Sequence, residues 1–385
     1  MKLLVKTFHG LENIVAEELA QLGAENIVPQ KRAVAFEGDT ELLYRANLHL
    51  RTGLRILLPI LTFNAKTDKD LYNKIAQHDW SKHFNDSNTF VIDSVVFGDI
   101  FKHSRYVTLK AKDAIVDQFR NKTGKRPSID VEDADVSINI HVSADRFTVS
   151  LDSSGESLHR RGYRDGRHKA PLNEVLAAAM LKIAKWKPEI PLFDPMCGSG
   201  TILMEAAMMA KNIPPAWHRK KFSFMSWPDF DKELWNKIRE EAESKFESPR
   251  VTIIGSDASM LSVDIAKQAS LEYRLNREIK VSKALFENQE PPAKVGMIIT
   301  NPPYGERLQK DNIIDFYKMI GTILKQRFTG YDAWIISSNL KALKHIELKP
   351  SEKHTLYNGP LESRFVKFKL YEGSMKIRTP RRTNI

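Results

Sequence analysis

The sequence predicts a doubly wound α/β domain with a mostly parallel sheet, preceded by an α+β region. Three observations carry this. From residue 171 onward, strand-like and helix-like segments alternate, the pattern of a parallel sheet with helices on its faces. Before that, residues 1–55 read strand, helix, strand, helix, and residues 56–155 form a second unit of mixed strands and helices. The chain has 385 residues, 42% hydrophobic and 28% charged, which is ample for a real core and excludes a wholly disordered chain.

In order, residues 2–9 read as a strand and 11–22 as an amphipathic helix closed by Gly23. Residues 31–37 alternate like a strand and 40–48 are helical. The apolar run 54–63 follows, then helical stretches near 68–76 and 106–120 on either side of a strand-like segment, 89–97. Residues 135–152 alternate strictly and predict a β-hairpin turning at Ala144-Asp145. A linker spans 156–170. The stretch SSGESLHRRGYRDGRHKA (153–170) holds three glycines, Arg160, Arg161, Arg164, Arg167, Lys169 and Tyr163, and almost nothing apolar. A solvated hinge would look the same; the density of arginines around an aromatic ring favours a phosphate-contacting stretch.

In the last region, 171–385, helices are expected at 171–186, 200–210, 262–275 and 312–328. Strands are expected at 189–195, 251–257, 280–285, 295–304 and 332–337. Residues 354–371 read as two strands joined at Asn358-Gly359, an antiparallel pair that such a sheet tolerates. The segment 211–249 is an insertion between a helix and the next strand.

Composition excludes several classes. No run approaches the roughly 18 apolar residues a membrane span needs, and the start, MKLLVKTFHG, has no apolar leader. One cysteine, Cys197, excludes an intramolecular disulfide framework and a multi-cysteine zinc site. The expectation is a cytoplasmic protein. Net charge is +11. Residues 1–170 hold 25 basic and 23 acidic side chains, so the remainder carries +9 of the excess. A basic C-terminal half fits a polyanionic partner.

Three constellations carry chemistry. The first is Asp194-Pro195-Met196-Cys197-Gly198-Ser199-Gly200-Thr201, a buried apolar strand ending in an acid, then a glycine-rich turn, then a helix. Gly198 and Gly200 let the backbone approach a ligand closely. There is no Gly-Lys-Ser/Thr, so a triphosphate is disfavoured; an acid at the strand end suits a ligand bearing an ammonium group. The second is Asp257, ending the strand VTIIGSD, where an acid can accept hydrogen bonds from both hydroxyls of a ribose. The third is Asn301-Pro302-Pro303-Tyr304 after the strand VGMIIT. Two prolines lock the backbone, so the Asn301 side chain and the Pro302 carbonyl can accept hydrogen bonds from an exocyclic amine while Tyr304 offers a stacking face. Alone, this tetrapeptide is as readily a rigid turn; after a strand, and behind the first two motifs, it reads as functional.

DPMCGSGT, GSD and NPPYGERL resemble the motifs of class I S-adenosylmethionine-dependent amino-group methyltransferases. With DSSGESLHRRGYR (152–164), APLNEVLAAAML (170–181) and AWHRKKFSFMSW (216–227), the chain is similar to RNA methyltransferases carrying an N-terminal THUMP domain, and most of all to the bacterial 23S rRNA guanine-N2 type. The resemblance covers essentially the whole chain. It implies a ferredoxin-like unit at 1–55, a THUMP RNA-binding domain at 56–155, a basic linker at 156–170 and a Rossmann-like catalytic domain at 171–385, with a seven-stranded, mostly parallel sheet.

The resemblance also implies roles. Asp194, Pro195, Cys197, Gly198, Ser199, Gly200 and Thr201 would surround the methionine part of S-adenosylmethionine, and Asp257 with Ala258 its ribose. Asn301 and Pro302 would bind the target amine, with Pro303 stiffening the turn and Tyr304 stacking on the base. Arg160, Arg161, Tyr163, Arg164 and Arg307 would contact RNA; the tail arginines Arg378, Arg381 and Arg382 are further candidates for phosphate contacts, and a solvated end accounts for them at least as well. Two departures stand out. The family's usual acid after the third strand, which contacts adenine, is replaced by Lys283-Ala284-Leu285-Phe286-Glu287. Some bacterial relatives carry a second methyltransferase domain, whereas this chain ends at 385 in KIRTPRRTNI, implying one methylation activity.

His9, His49, His78, His83 and His103 show no metal-ligand spacing, and no metal is expected. Cys197 reads as packing rather than a nucleophile, and Met208-Met209 as core. Two rivals remain: the same chemistry on tRNA guanine-N2 or DNA adenine-N6, the THUMP-like region favouring RNA, and a non-catalytic RNA-binding or assembly protein.

Overall fold

A computed structural model describes residues 1–163, 172–303, 310–359 and 361–372, with the side chains of 310–312 excepted. The chain divides into two compact units. Unit 1 comprises Met1–Lys182 and Glu205–Pro249; unit 2 comprises Ile183–Met204 and Arg250–Ile385.

Unit 1 is built on an eight-stranded sheet. Its elements are β1 (Lys2–Lys6), α1 (Glu12–Gln21), β2 (Glu25–Gln30), β3 (Ala33–Glu37), α2 (Thr40–His49), β4 (Arg55–Asn64), α3 (Asp68–Gln77), β5 (Thr89–Phe97), α4 (Ser104–Thr123), β6 (Ser128–Ile129), β7 (Val136–Ser143) and β8 (Arg146–Asp152). The sheet order is β2-β3-β1-β4-β8-β7-β5-β6. Pairs are antiparallel except β5 with β6 and β5 with β7. The expected hairpin is present: Ser143 pairs with Arg146, and Ala144 takes the positive φ of 56° that a two-residue turn demands. The apolar run at 54–63 becomes β4, which joins β1 to β8 across the middle of the sheet.

Helices α5 (Glu174–Ile183), α6 (Thr201–Ala210) and α7 (Lys232–Glu243) follow. The insertion at 211–249, placed by the sequence inside the C-terminal region, folds as part of unit 1. In α7, Trp235, Ile238 and Ala242 are buried at a spacing that lines one helical face, and Asp231 caps its start by accepting from the Leu234 N–H at 2.9 Å. Phe224 stacks on Tyr44 of α2 at 4.5 Å between ring centroids, and Trp235 meets Phe224 edge-on at 5.3 Å. Each such ring withdrawn from water contributes about 1.5–3 kcal/mol, so the insertion belongs to the core of this unit.

Unit 2 contains β9 (Leu192–Asp194), β10 (Ile253–Asp257), α8 (Met260–Glu272), β11 (Ile279–Lys283), β12 (Gly296–Thr300), α9 (Lys310–Arg327), β13 (Tyr331–Ser337), α10 (Leu340–Leu343), β14 (Glu352–Asn358) and β15 (Leu361–Lys369). The seven strands run in the order β11-β10-β9-β12-β13-β15-β14. The first five are mutually parallel, and β15 is antiparallel to both β13 and β14. All five residues of β12 are buried, as expected of a central parallel strand covered on both faces. The Rossmann-like, seven-stranded expectation therefore holds, antiparallel end included. Among the described residues, no helix is long and apolar enough to cross a membrane.

Candidate active site at the strand ends of unit 2

The chain leaves β9 in one direction to build β10 and β11, then returns to add β12 and β13 on the other side. The reversal lies between β9 and β12. In open α/β sheets, ligands bind in the crevice beyond the carboxyl ends of the strands at this point. Asp194 ends β9, Asp257 ends β10, and Asn301 follows Thr300 at the end of β12. The three sequence motifs thus arrive on one edge of one sheet.

Asp194 is 1% exposed. Its Oδ1 accepts from the Thr300 hydroxyl at 2.7 Å and from the Met196 N–H at 3.2 Å. Burial pushes its carboxyl up to about 7, with the Asp257 charge adding to the rise and the two hydrogen bonds opposing it. Among the described residues, no cation is one of the groups that set this value.

Asp257 is half-buried. Its Oδ2 accepts from the Gly198 N–H and its Oδ1 from the Ser259 N–H, each at 2.9 Å. It therefore braces the glycine turn, while each oxygen keeps a second lone pair for a ligand. The turn is further fixed by the Cys197 N–H on the Ser256 carbonyl and the Gly200 N–H on the Cys197 carbonyl, both 2.9 Å. Gly198 and Gly200 have φ of 53° and 80°, and a Cβ on Gly200 would lie 3.0 Å from the Ala266 Cβ. Gly200 is thus required both by its backbone conformation and by the close approach of α8.

Pro195, Cys197 and Thr201 are buried, Ser199 is half-buried, and Ala258 is exposed beside Asp257. The Cys197 thiol is pushed far up by burial and by the neighbouring carboxylates, which suits packing and not nucleophilic attack. After β11, the Ala284 N–H bonds the Asp257 carbonyl at 3.1 Å and Phe286 is buried. Asn301 and Pro303 are half-buried and Pro302 is buried. Tyr304 lies outside the described residues.

Thr300 was not singled out by sequence. The available signal was a hydroxyl ending an otherwise apolar strand, directly before Asn301.

The linker residues require a correction. Arg161 is 0% exposed and Tyr163 is 5% exposed. Arg161 Nε donates to Glu205 at 3.3 Å, Nη2 donates to the Arg51 carbonyl at 2.5 Å, and Nη1 bonds the Leu158 carbonyl. The Tyr163 hydroxyl donates to the same Glu205 carboxylate at 3.1 Å. A guanidinium enclosed in this way is not available to a phosphate, so both residues serve the interior of unit 1. Arg160 is exposed and pairs with Glu156 at 2.7 Å, leaving it reachable. Arg164, Arg167, Lys169, Arg307 and the tail arginines Arg378, Arg381 and Arg382 lie outside the described residues.

Comparison with known proteins fits this arrangement. The family described as RMKL-like, methyltransferase domain, matches residues 161–367; an RlmL ferredoxin-like domain matches 2–57 and a THUMP domain 65–152. A Synechocystis sp. protein, named provisionally as an RNA methyltransferase, is 42% identical over 364 residues, covering 94% of this chain and 95% of its own. The ribosomal RNA large subunit methyltransferase K/L of Methylococcus capsulatus is 38% identical over 93% of this chain, which spans only 50% of that protein. Among solved structures, SMU.472, provisionally a methyltransferase and complexed with SAH, superposes with a TM-score of 0.86 at 27% identity, covering 97% of this chain and 99% of that one. With those matches and this sheet edge together, the chain belongs to the RMKL-like methyltransferase family, in a form that carries ferredoxin-like and THUMP domains ahead of the catalytic one.

Proposed function

We propose that this chain transfers a methyl group from S-adenosylmethionine to the exocyclic N2 of a guanosine in RNA, with 23S rRNA as the substrate in the cytoplasm. The carrying observation is Asp194: a wholly buried carboxyl at the sheet's reversal point with, among the described residues, no cation setting its charge. Such a group fits a ligand that brings its own ammonium charge. The rest of the edge suits the rest of that ligand: Gly198 and Gly200 allow close approach, and Asp257 retains lone pairs for two ribose hydroxyls. The names of the Synechocystis and Methylococcus relatives, together with the THUMP match, support RNA, and ribosomal RNA of the large subunit, as the substrate class.

When bound, S-adenosylmethionine supplies an electrophilic methyl group. The chain's own residues do the rest. The guanine N2 lone pair is delocalised into the ring, so the amine is a poor nucleophile. The Asn301 side chain and Pro302 carbonyl accept from its hydrogens and stabilise the positive charge that develops as it attacks. Pro302 and Pro303 hold those acceptors rigid, so alignment is set before reaction. The proton left on nitrogen passes to solvent. A paired guanosine cannot reach the crevice, so the target must be unpaired or extruded. Arg160 is an exposed candidate for a phosphate contact.

The test is methyl transfer from labelled S-adenosylmethionine to RNA from a strain lacking the gene, fractionated into 23S, 16S and tRNA and digested to nucleosides. Label in 23S as N2-methylguanosine is the expected result. Label in tRNA would keep the chemistry and replace the substrate. Absence of both label and cofactor binding would favour an RNA-binding protein without activity.

A further inference from the structure

The strand β12 is Gly-Met-Ile-Ile-Thr, buried throughout. A hydroxyl is out of place at its end. Valine has the same shape and suits a buried strand as well, and an unsatisfied hydroxyl in such a setting is costly. Thr300 is 1% exposed, and its hydroxyl donates to Asp194 Oδ1 at 2.7 Å. The same oxygen accepts from the Met196 N–H. One carboxylate oxygen therefore holds the start of the glycine turn and the last residue of β12. The next residue along is Asn301, whose following peptide units are stiffened by Pro302 and Pro303.

We propose that Thr300 is a positioning residue that couples the cofactor acid Asp194 to the amine-binding turn at Asn301. The inference rests on the S-adenosylmethionine reading of the site. Its physical basis is the difference between a neutral and a charge-assisted hydrogen bond, the latter being roughly twice as strong. Burial raises the Asp194 pKa to about 7, so near pH 7 a large share of empty sites holds the proton. Among the described residues, the titratable groups that face it are Asp257 on β10, whose charge pushes it further up, and the Cys197 thiol, itself held protonated by burial. A bound ammonium group reverses that balance and ionises Asp194. The Thr300 bond then strengthens, and the end of β12 is held hardest when the pocket is filled. The coupling is reciprocal by thermodynamic necessity: whatever the filled pocket does for Thr300, Thr300 does for filling the pocket.

The experiment uses the full chain, with Thr300→Val and Thr300→Ser beside the wild type. Circular dichroism and melting establish that each variant is folded. S-adenosylmethionine affinity is measured by calorimetry from pH 6 to 9, and kcat is measured on the RNA substrate at saturating cofactor. The expected result for Thr300→Val is ~10-fold weaker binding at pH 7, the loss of one hydrogen bond to a charged acceptor. Its pH midpoint for binding moves upward, because a donor to the ionised form has gone. Its kcat falls ~10-fold or more even when the cofactor saturates. Thr300→Ser restores both to within ~3-fold of wild type. Unchanged kcat at saturation, an unmoved midpoint, or a serine variant no better than valine would overturn the proposal and leave Thr300 a packing residue. A wild-type chain that binds no S-adenosylmethionine would overturn the cofactor reading itself, and the coupling with it. Wild-type binding with an indifferent valine variant overturns the coupling alone.

Discussion

Two buried carboxylates in this chain make a useful pair. Glu205, on α6 within unit 1, is 0% exposed and shares its Oε1 between the Arg161 guanidinium and the Tyr163 hydroxyl. Asp194, in unit 2, is as well hidden, but among the described residues its hydrogen bonds come from a hydroxyl and one backbone N–H. Glu18 in unit 1 resembles Glu205: the Thr52 N–H and hydroxyl reach it at 3.0 and 2.5 Å, and the Lys182 ammonium lies at 3.2 Å. Where a buried acid has its cation built in, it is part of the framework. Where the cation is left out, the place is open to a ligand that carries one.

The contrast can be broken at either end. The largest effect is expected in unit 1. Arg161→Ala strands a buried Glu205 and should cost about 3–5 kcal/mol of stability, seen in urea or thermal unfolding, whereas Arg161→Met combined with Glu205→Met should recover most of the loss. A single variant as stable as wild type would mean that Glu205 is no better compensated than Asp194. Next comes Asn301→Ala. It should lower methyl transfer by ~10²–10³, the range for removing one oriented group that meets developing charge, while calorimetry shows cofactor affinity within ~3-fold.

Asp194→Asn should separate the two roles of that side chain. The folded-state pKa of about 7 lies above the ordinary 3.8, so the native form holds its proton more tightly than the unfolded chain. The contribution of this group to stability is then fullest below about pH 4 and is lost as pH rises through about 7. The asparagine variant lacks that decline. At pH 8 it should be about 2–4 kcal/mol more stable than wild type, from ~1.4 kcal/mol per pKa unit, with no gain at pH 4, and it should bind S-adenosylmethionine poorly throughout. In the wild type, cofactor affinity should drop ~10-fold per pH unit below about 7, as the carboxyl takes up its proton. A flat binding profile from pH 5 to 8 would remove Asp194 from the ligand's surroundings. The smallest effect belongs to Arg160→Ala, a surface group: RNA affinity should fall only a few-fold, with a shallower salt dependence.

Much of this was legible in the sequence because each feature is local. The alternating run 135–152 could be nothing but a hairpin, and the strand-turn-helix at 192–210 announced its own geometry. What was not legible depends on distant partners. Arg161 and Tyr163 sit in a stretch of glycine and charge that reads as surface; their burial is decided by Glu205, more than forty residues later. Thr300 reads as an ordinary strand residue until Asp194 is placed beside it. Two elements left weak patterns. β2 is an almost fully exposed edge strand containing Pro29 and a bulge, so no apolar alternation marks it. The insertion carried an amphipathic pattern in α7, but nothing local said that its aromatic face would meet Tyr44.

That insertion has a consequence for how the chain is made. Unit 1 is discontinuous: its final piece, Glu205–Pro249, is synthesised after β9, a central strand of unit 2. When residue 182 leaves the ribosome, Tyr44 still lacks Phe224 and Trp235. The 67 residues from 183 to 249 take a further ~3–13 s to translate at ~5–20 residues per second. Throughout that interval an apolar face stays open and β9 must wait without its sheet. In a nascent chain stalled near residue 190, unit 1 should therefore be protease-sensitive around Tyr44, and in one stalled far enough past 250 for residue 249 to have emerged, that region should be protected while β9 still waits for β10 and β12.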